Sequence, residues 1–284
     1  MMRILVTGLA GFTGRYVKTA LESAGHQVIG LKSNLTDAPS LTAELAELKL
    51  DAVIHLAAIA FVGHGDANAI YQVNLLGTRN LLQALAQSAN KLQHVLIASS
   101  ANVYGNSSEG MLNEQTTANP ANDYAVSKYA MELAAGLWAE KLPITLVRPF
   151  NYTGVGQDSK FLIPKIVEHF KAKKAVIELG NLEVWREFND VRFIADSYAK
   201  LIEQAPAQSG LAMNICTGNA YSLHEAIGLC EKITGQSIEV QVNPAFVRAN
   251  EVRILKGDNA RLKNTVTTLV DYDLEQTLTW MLAA

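Results

Sequence analysis

The chain has 284 residues, 49% of them hydrophobic and 18% charged, against a typical charged share of about 25%. That is enough apolar material for one large domain or two modest ones, and it excludes a disordered chain or a small stapled scaffold. Lys plus Arg number 24 and Asp plus Glu 27, a net charge of -3 with no like-charge block, so nothing marks a nucleic-acid or anionic-membrane partner. Two cysteines, Cys216 and Cys230, argue against a disulfide framework and for a reducing compartment, the cytoplasm being the simplest. Gly8 and Gly11 come too early for a signal-peptide apolar stretch, and no run approaches the roughly 18 apolar residues of a membrane span. His26, His55, His64, His94, His169 and His224 are scattered without ligand spacing, so no metal is expected.

From Arg3 to Leu146, short apolar runs rich in β-branched residues alternate with segments of helical period, the pattern of βαβ units around a parallel sheet. RILVT, QVIGL, AVIHLAA, HVLIASS and ITLVRP are the predicted strands, with helices expected to begin near Gly11, Ser40, Ala67, Asp123 and Lys160. The runs are continuously apolar, as strands buried on both faces must be. After Arg148 and Pro149 come a Gly-rich stretch to Gly156, a helix over 161–173 and a hairpin over 176–189 around GNLEVW. A helix over 194–204, a strand at MNICTG and a helix over 223–234 follow. The expected division is α/β throughout: residues 1–150 with about 190–217 in one lobe, and 151–189 with 218–284 in a second, smaller one.

The first strand runs into Thr7-Gly8-Leu9-Ala10-Gly11-Phe12-Thr13-Gly14 and a helix follows at once. Glycines at 8, 11 and 14 allow a tight turn, close approach of backbone to a pyrophosphate, and close packing of helix on strand. The loop including Phe12 and Thr13 is therefore a candidate dinucleotide site. The second strand ends at Leu31, followed by Lys32 and Ser33, where an NAD-selective site presents a carboxylate to the ribose 2′-hydroxyl. Lys32 suits a 2′-phosphate instead, so NADP(H) is expected to be preferred, with NAD(H) as the alternative.

Tyr124 and Lys128 lie one helical turn apart on one face. A phenol ordinarily titrates near 10, and a neighbouring ammonium favours its phenolate, which gives a proton-exchanging group for a substrate hydroxyl or carbonyl; Lys128 can also hold a cofactor ribose. Ser99 and Ser100 stand at the C-terminal end of a predicted central strand, where α/β folds place ligands. Ser100 is assigned to the reacting oxygen, with Ser99 as the near rival.

Together TGxxGxxG, HLAA at 55–58, SSANVYG, YAVSK and RPFN resemble the extended short-chain dehydrogenase/reductase family of nucleotide-sugar enzymes over essentially the whole chain. The resemblance implies a Rossmann-type doubly wound parallel sheet with a smaller α/β C-terminal domain that grips a nucleotide-diphosphate sugar. It implies Ser100, Tyr124 and Lys128 as the catalytic set, with hydride passing between nicotinamide and a sugar carbon. By the same resemblance Leu56, Ala57 and Ala58 line the cofactor crevice, and Asn74 in VNLLGTRNLL is the family asparagine behind the active site. A homodimer through helices over 67–87 and 124–140 is implied as well. His55 is expected to be structural. The segment Asn34-Leu35 resembles the end of a strand that is otherwise almost absent, which leaves these two residues for the adenine side.

Dehydratases of the family carry an Asp-Glu pair after the catalytic Ser or Thr; here Ala101-Asn102 stands there, which leaves ketone reduction or C4 epimerisation. The C-terminal half resembles the GDP-4-keto-6-deoxy-D-mannose reductases more than the UDP-galactose epimerases. That resemblance implies NADPH-dependent reduction of a nucleotide-linked 4-keto-6-deoxyhexose, with an NAD-dependent UDP-hexose 4-epimerase as the alternative. It puts Asn102 and Asn151 at the sugar or its phosphate, Arg186 and Arg248 at the diphosphate, and Glu251 at the nucleotide.

Overall fold

The structure is a computed structural model that describes residues 1–60, 65–106, 110–204, 206, 209–246 and 252–284. The predicted strands form one six-stranded sheet in the order Leu211–Ile215, Ile144–Pro149, His94–Ala98, Ala52–His55, Arg3–Thr7, Gln27–Gly30, parallel at every pairing. Because side chains alternate across a strand, Ile4 and Val6 enter one core with Val17, Leu21, Phe193 and Tyr198. Leu5, Val53 and Val95 enter the opposite core with Leu41, Leu45, Leu81 and Met131. Helices Phe12–Ser23 and Val191–Ile202 supply the first of these layers, and Ala38–Glu47, Thr78–Gln87 and Asp123–Gly136 the second. Burying each Leu, Ile or Phe contributes about 1.5–3 kcal/mol, which is why periodicity alone locates these elements.

The strand order reverses direction between Arg3–Thr7 and Ala52–His55. Such a switch point opens a crevice at the carboxyl ends of the strands, and the glycine loop and the HLAA segment flank it. The helix expected from Ala67 contains an inserted wide turn: Ala67–Tyr71 is α-helical, Gln72–Gly77 a π-helix, and Thr78–Gln87 α-helical again. Turns of this kind re-aim side chains and recur at functional sites; here the re-aimed residue is Asn74.

The second lobe corrects one expectation. Residues 176–189 do not form a hairpin: Val176–Leu179 pairs in parallel with Glu239–Val242, while Trp185–Glu187 lies between Ala220–Ser222 and Ile254–Gly257. The turn-like GNLE sequence is a local signal, and it is overridden because both strands find partners far along the chain. The Glu187 carboxylate helps, accepting from the amides of Thr217 (3.1 Å), Gly218 (3.2 Å) and Gly257. Gly110–Leu112 completes this four-stranded sheet. Helices Leu162–Lys171, Leu223–Thr234 and Leu274–Ala283 close a separate core around Ile166, Phe170, Ile227 and Leu278. Asp190 ties this lobe down by capping helix Val191–Ile202 through the Arg192 amide (2.7 Å) and accepting from Thr277 Oγ1 at 2.8 Å.

Candidate active site

At the glycine loop, Gly8 has φ +71°, and a Cβ there would lie 2.9 Å from the Ala57 amide nitrogen; one on Gly14 would lie 2.3 Å from the Gly8 carbonyl oxygen. Both must be glycine for strand, loop and helix to close. Gly11 is exposed, and a Cβ there would meet only the Gly8 oxygen, at 3.2 Å. Helix Phe12–Ser23 has no side-chain cap, so its first-turn amides are left for an outside acceptor, which fits a pyrophosphate. The side chains of Phe12 and Thr13 turn elsewhere. Phe12 stacks on Tyr152 and Thr13 Oγ1 hydrogen-bonds its hydroxyl at 2.8 Å, leaving their backbone for the crevice. Tyr152 is a site residue that sequence reading missed, since nothing in RPFNYTG marks it apart from core.

Lys32 is exposed at the end of the second strand, and its amide and that of Ser33 both donate to Glu44. Asn34 Oδ1 accepts from the Thr36 amide and hydroxyl, both at 3.0 Å, a local turn. Leu35 corrects its assignment: the side chain is buried with Leu41 and Leu45 and the carbonyl accepts from Asn80 Nδ2 at 3.0 Å, which leaves its amide for a ligand.

Behind the crevice, a buried chain of hydrogen bonds sets the HLAA segment. The amides of Leu56 and Ala57 donate to Thr7 Oγ1 at 3.2 and 3.1 Å, Thr7 Oγ1 meets His55 Nδ1 at 2.7 Å, and His55 Nε2 meets Thr78 Oγ1 at 2.8 Å. Thr78 gives its proton to the Asn74 carbonyl, which assigns the donor role toward Thr78 to His55 Nε2 and leaves Nδ1 to accept from Thr7. Burial, reinforced by the Lys128 charge, pushes His55 down to about 3, so the ring is neutral and structural. Ala58 is half-buried beside this segment. Asn74 is fully buried and does not reach the crevice. Its Oδ1 accepts from the Ile59 amide (2.8 Å), while its Nδ2 donates to the Ile59 carbonyl (3.1 Å) and to Ser127 Oγ (3.0 Å). It thereby pins the crevice loop to the helix bearing Tyr124 and Lys128.

That helix starts at an Asn122 cap whose side chain accepts from the Ala125 amide at 2.9 Å. The Ser100 hydroxyl lies close enough to Tyr124 to act on its phenol. Ser100 Oγ also accepts from the Asn102 amide (3.2 Å) and from Asn102 Nδ2 (3.0 Å), so its remaining valence is its own O–H. Asn102 thus engages Ser100 directly. Neighbouring Ser99 is buried, and its hydroxyl has no partner among the described residues. Lys128 Nζ donates to the Ala98 carbonyl at 2.7 Å. The expectation that the ammonium lowers the phenol is overturned. Burial pushes Tyr124 up to about 12, opposed by the nearby Ser100 hydroxyl, and pushes Lys128 down to about 8, opposed by Glu132.

Asn151 is exposed just beyond strand Ile144–Pro149, its carbonyl held by the Asn189 amide at 2.9 Å and Nδ2 at 3.1 Å. The Arg186 guanidinium donates to the carbonyls of Trp185 (2.8 Å), Val252 (2.7 Å) and Arg253 (3.3 Å), bracing two neighbouring strands. Arg248 and Glu251 lie outside the described residues. Among the described residues no cluster of His, Cys, Asp and Glu is arranged to hold a metal, and no helix is long and apolar enough to cross a membrane.

Residues 4–216 match the model of the NAD dependent epimerase/dehydratase family. The chain is 36% identical over 270 residues to a GDP-6-deoxy-D-talose 4-dehydrogenase of Aggregatibacter actinomycetemcomitans, covering 93% of this chain and 91% of that one. It is 34% identical over 292 residues to a GDP-6-deoxy-D-mannose reductase of Pseudomonas aeruginosa, covering 97% and 94%. A solved structure of RMD from Pseudomonas aeruginosa, complexed with NADPH, superposes with a TM-score of 0.90 at 31% identity, covering 100% of this chain and 98% of that one. With its switch-point glycine loop and its Ser100, Tyr124 and Lys128 brought to one crevice, the chain belongs to the NAD dependent epimerase/dehydratase family, the extended short-chain dehydrogenase/reductases, and is an NAD(P)-dependent oxidoreductase-type enzyme.

Proposed function

We propose that the protein reduces the C4 ketone of a nucleotide-linked 4-keto-6-deoxyhexose, GDP-4-keto-6-deoxy-D-mannose foremost, and releases a GDP-6-deoxyhexose. The observation that carries this reading is the placement of Ser100 beside Tyr124, with Lys128 one helical turn on and anchored to the Ala98 carbonyl, and an amide, Asn102, at the position where a dehydratase keeps a carboxylate. The 36% and 34% relatives, both named for GDP-linked 6-deoxyhexoses, support the choice of substrate.

The amides of the glycine loop and the Phe12–Ser23 helix start would hold the dinucleotide, with Leu56, Ala57 and Ala58 as a small-residue wall. When bound, NADPH supplies the hydride; the NADPH-bound relative supports this cofactor. At about 12, Tyr124 keeps its proton at neutral pH, so it is the acid that protonates the C4 oxygen as negative charge develops there. Ser100, its acceptor sites taken by Asn102, turns its O–H to the same oxygen. Lys128 has one donor on Ala98 and keeps the others for a ribose and for the phenolate that Tyr124 becomes. Asn151, Arg186, Arg248 and Glu251 hold the sugar, diphosphate and nucleotide, with Arg186 exchanging some of its carbonyl contacts for phosphate oxygens.

The domain limits we propose are 1–150 with about 190–217 for the dinucleotide and 151–189 with 218–284 for the sugar. A homodimer through 67–87 and 124–140 is supported by exposed Leu76 (41%), Leu133 (61%) and Leu137 (82%). A cytoplasmic location is supported by the two free, buried cysteines.

The test is NADPH consumption with GDP- and dTDP-linked 4-keto-6-deoxyhexoses offered in turn. Consumption with the GDP-linked ketone is expected, and Tyr124→Phe should lower kcat by roughly 100- to 10,000-fold with NADPH affinity unchanged. Interconversion of UDP-hexoses without net cofactor consumption, with NAD released on denaturation, would replace this reading by the epimerase.

A further inference from the structure

The sequence around the second strand's end shows a cation and no carboxylate, yet the folded chain brings one there. Glu44, from helix Ala38–Glu47, accepts from the Lys32 amide at 2.9 Å (Oε1) and 3.3 Å (Oε2), and from the Ser33 amide at 2.7 Å (Oε2). The Ser33 side chain and the Lys32 charge act on it as well. Although burial pushes the Glu44 carboxyl up, these donors together hold it below its ordinary value, so the group is ionised at neutral pH. Two consecutive amides converging on one point, on a stretch that carries a lysine, are an anion nest. In this chain the nest is filled by the protein's own carboxylate.

The nest sits directly beyond Gly30, where a Cβ would lie 3.0 Å from Leu9 Cδ2 of the glycine loop. It therefore shares the crevice edge with that loop, at the strand end that meets the adenosine ribose in dinucleotide folds. A ribose 2′-hydroxyl can donate to the Glu44 carboxylate. A 2′-phosphate is attracted by Lys32, but it meets a site whose amides are already taken by a like charge.

We propose that Glu44 is the second cofactor-specificity residue of this enzyme, counterbalancing Lys32 so that NADP(H) and NAD(H) bind with comparable affinity. The inference rests on the reading of this crevice as a dinucleotide site, and it concerns cofactor choice alone.

The test is titration of the full-length chain with NADPH and NADH, without sugar, followed by quenching of tryptophan fluorescence. The wild-type dissociation constants should lie within about tenfold of each other; Glu44→Gln should move their ratio about tenfold toward NADPH, and Lys32→Ala a similar amount toward NADH, as expected for one charge beside a partly solvated phosphate. The Lys32→Ala arm does not depend on the fold, since Lys32 is exposed. In the same experiment, 2′-AMP should compete more strongly against NADPH in Glu44→Gln than in the wild type. A Glu44→Gln ratio within twofold of wild type, with both cofactors still binding, overturns the role of Glu44 and leaves the dinucleotide reading intact. Binding of only one of the two dinucleotides to the wild type overturns the proposed balance alone, and failure of both to bind overturns the dinucleotide reading with it.

Discussion

Two buried cations lie along helix Asp123–Gly136, and although burial disfavours the charge of both, their partners send the net shifts in opposite directions. Arg148 and Lys128 are 7% and 3% exposed. Arg148 is met by a carboxylate: Nε donates to Glu132 Oε1 at 2.9 Å and Nη2 to Glu132 Oε2 at 2.6 Å, while Nη1 reaches Tyr104 Oη at 3.1 Å. Burial disfavours its charge, but the forked pair with Glu132 outweighs that, and Arg148 is held charged more firmly than an ordinary arginine. Lys128 hydrogen-bonds only the neutral Ala98 carbonyl among the described residues and feels Glu132 without pairing to it, so desolvation wins and the ammonium is pushed down to about 8. The saturated network braces the lobe junction, and the undersatisfied cation faces the crevice with donors to give. A cation buried without an anion is a cost to folding that makes sense where a ligand is to be held.

The comparison breaks first at Glu132. Glu132→Gln strands the Arg148 guanidinium, and an unpaired buried charge costs about 3–5 kcal/mol, to be seen as a lower denaturant midpoint at unchanged slope. Lys128→Met should act in the opposite sense. The drop from the ordinary 10.5 to about 8 corresponds to about 3 kcal/mol, less about 1 kcal/mol for the hydrogen bond to Ala98, so the variant should be about 2 kcal/mol more stable at pH 7 and nearly inactive.

A pH series sharpens the same point. Lys128 binds fewer protons in the folded chain than in the unfolded one between pH 8 and 10.5. The cost of its burial is therefore present in full below pH 8 and is relieved as pH rises. Tyr124, raised to about 12 from 10.0, acts in reverse above pH 10. The wild type should thus gain stability from about pH 8 to 10, and Lys128→Met should lose this gain. The smallest effect belongs to Tyr104, whose hydroxyl donates to Asn214 Oδ1 at 2.6 Å and accepts from Arg148. Tyr104→Phe should cost about 1–2 kcal/mol, read from the same unfolding curves.

The site was legible where its signal was local. Ser100, Tyr124 and Lys128 come together because a strand end and the first turn of a helix are predictable places, and Gly8 and Gly14 because their spacing answers a steric demand. Asn74 was found by resemblance, but its work was not visible: only the π-turn over Gln72–Gly77 shows that its amide pins Ile59 to Ser127. Tyr152 and Glu44 escaped altogether, since an aromatic in a strand and an acid on an amphipathic helix look like any others. The hairpin over 176–189 failed because turn residues report only on their neighbours, and the true partner strands begin at Ala220, Glu239 and Ile254.

By itself, the sequence determined the parallel sheet, the helix over Leu223–Thr234 and the tight glycine loop between the first strand and its helix, because apolar period and glycine spacing are properties of short stretches of chain. Only the tertiary structure decided which strands of the second lobe pair, that burial pushes the Tyr124 phenol up and the Lys128 ammonium down, and that a carboxylate from the following helix lies against the Lys32 and Ser33 amides. Those depend on what burial removes from water and on which charges are left facing one another, and neither quantity exists until the chain has closed on itself.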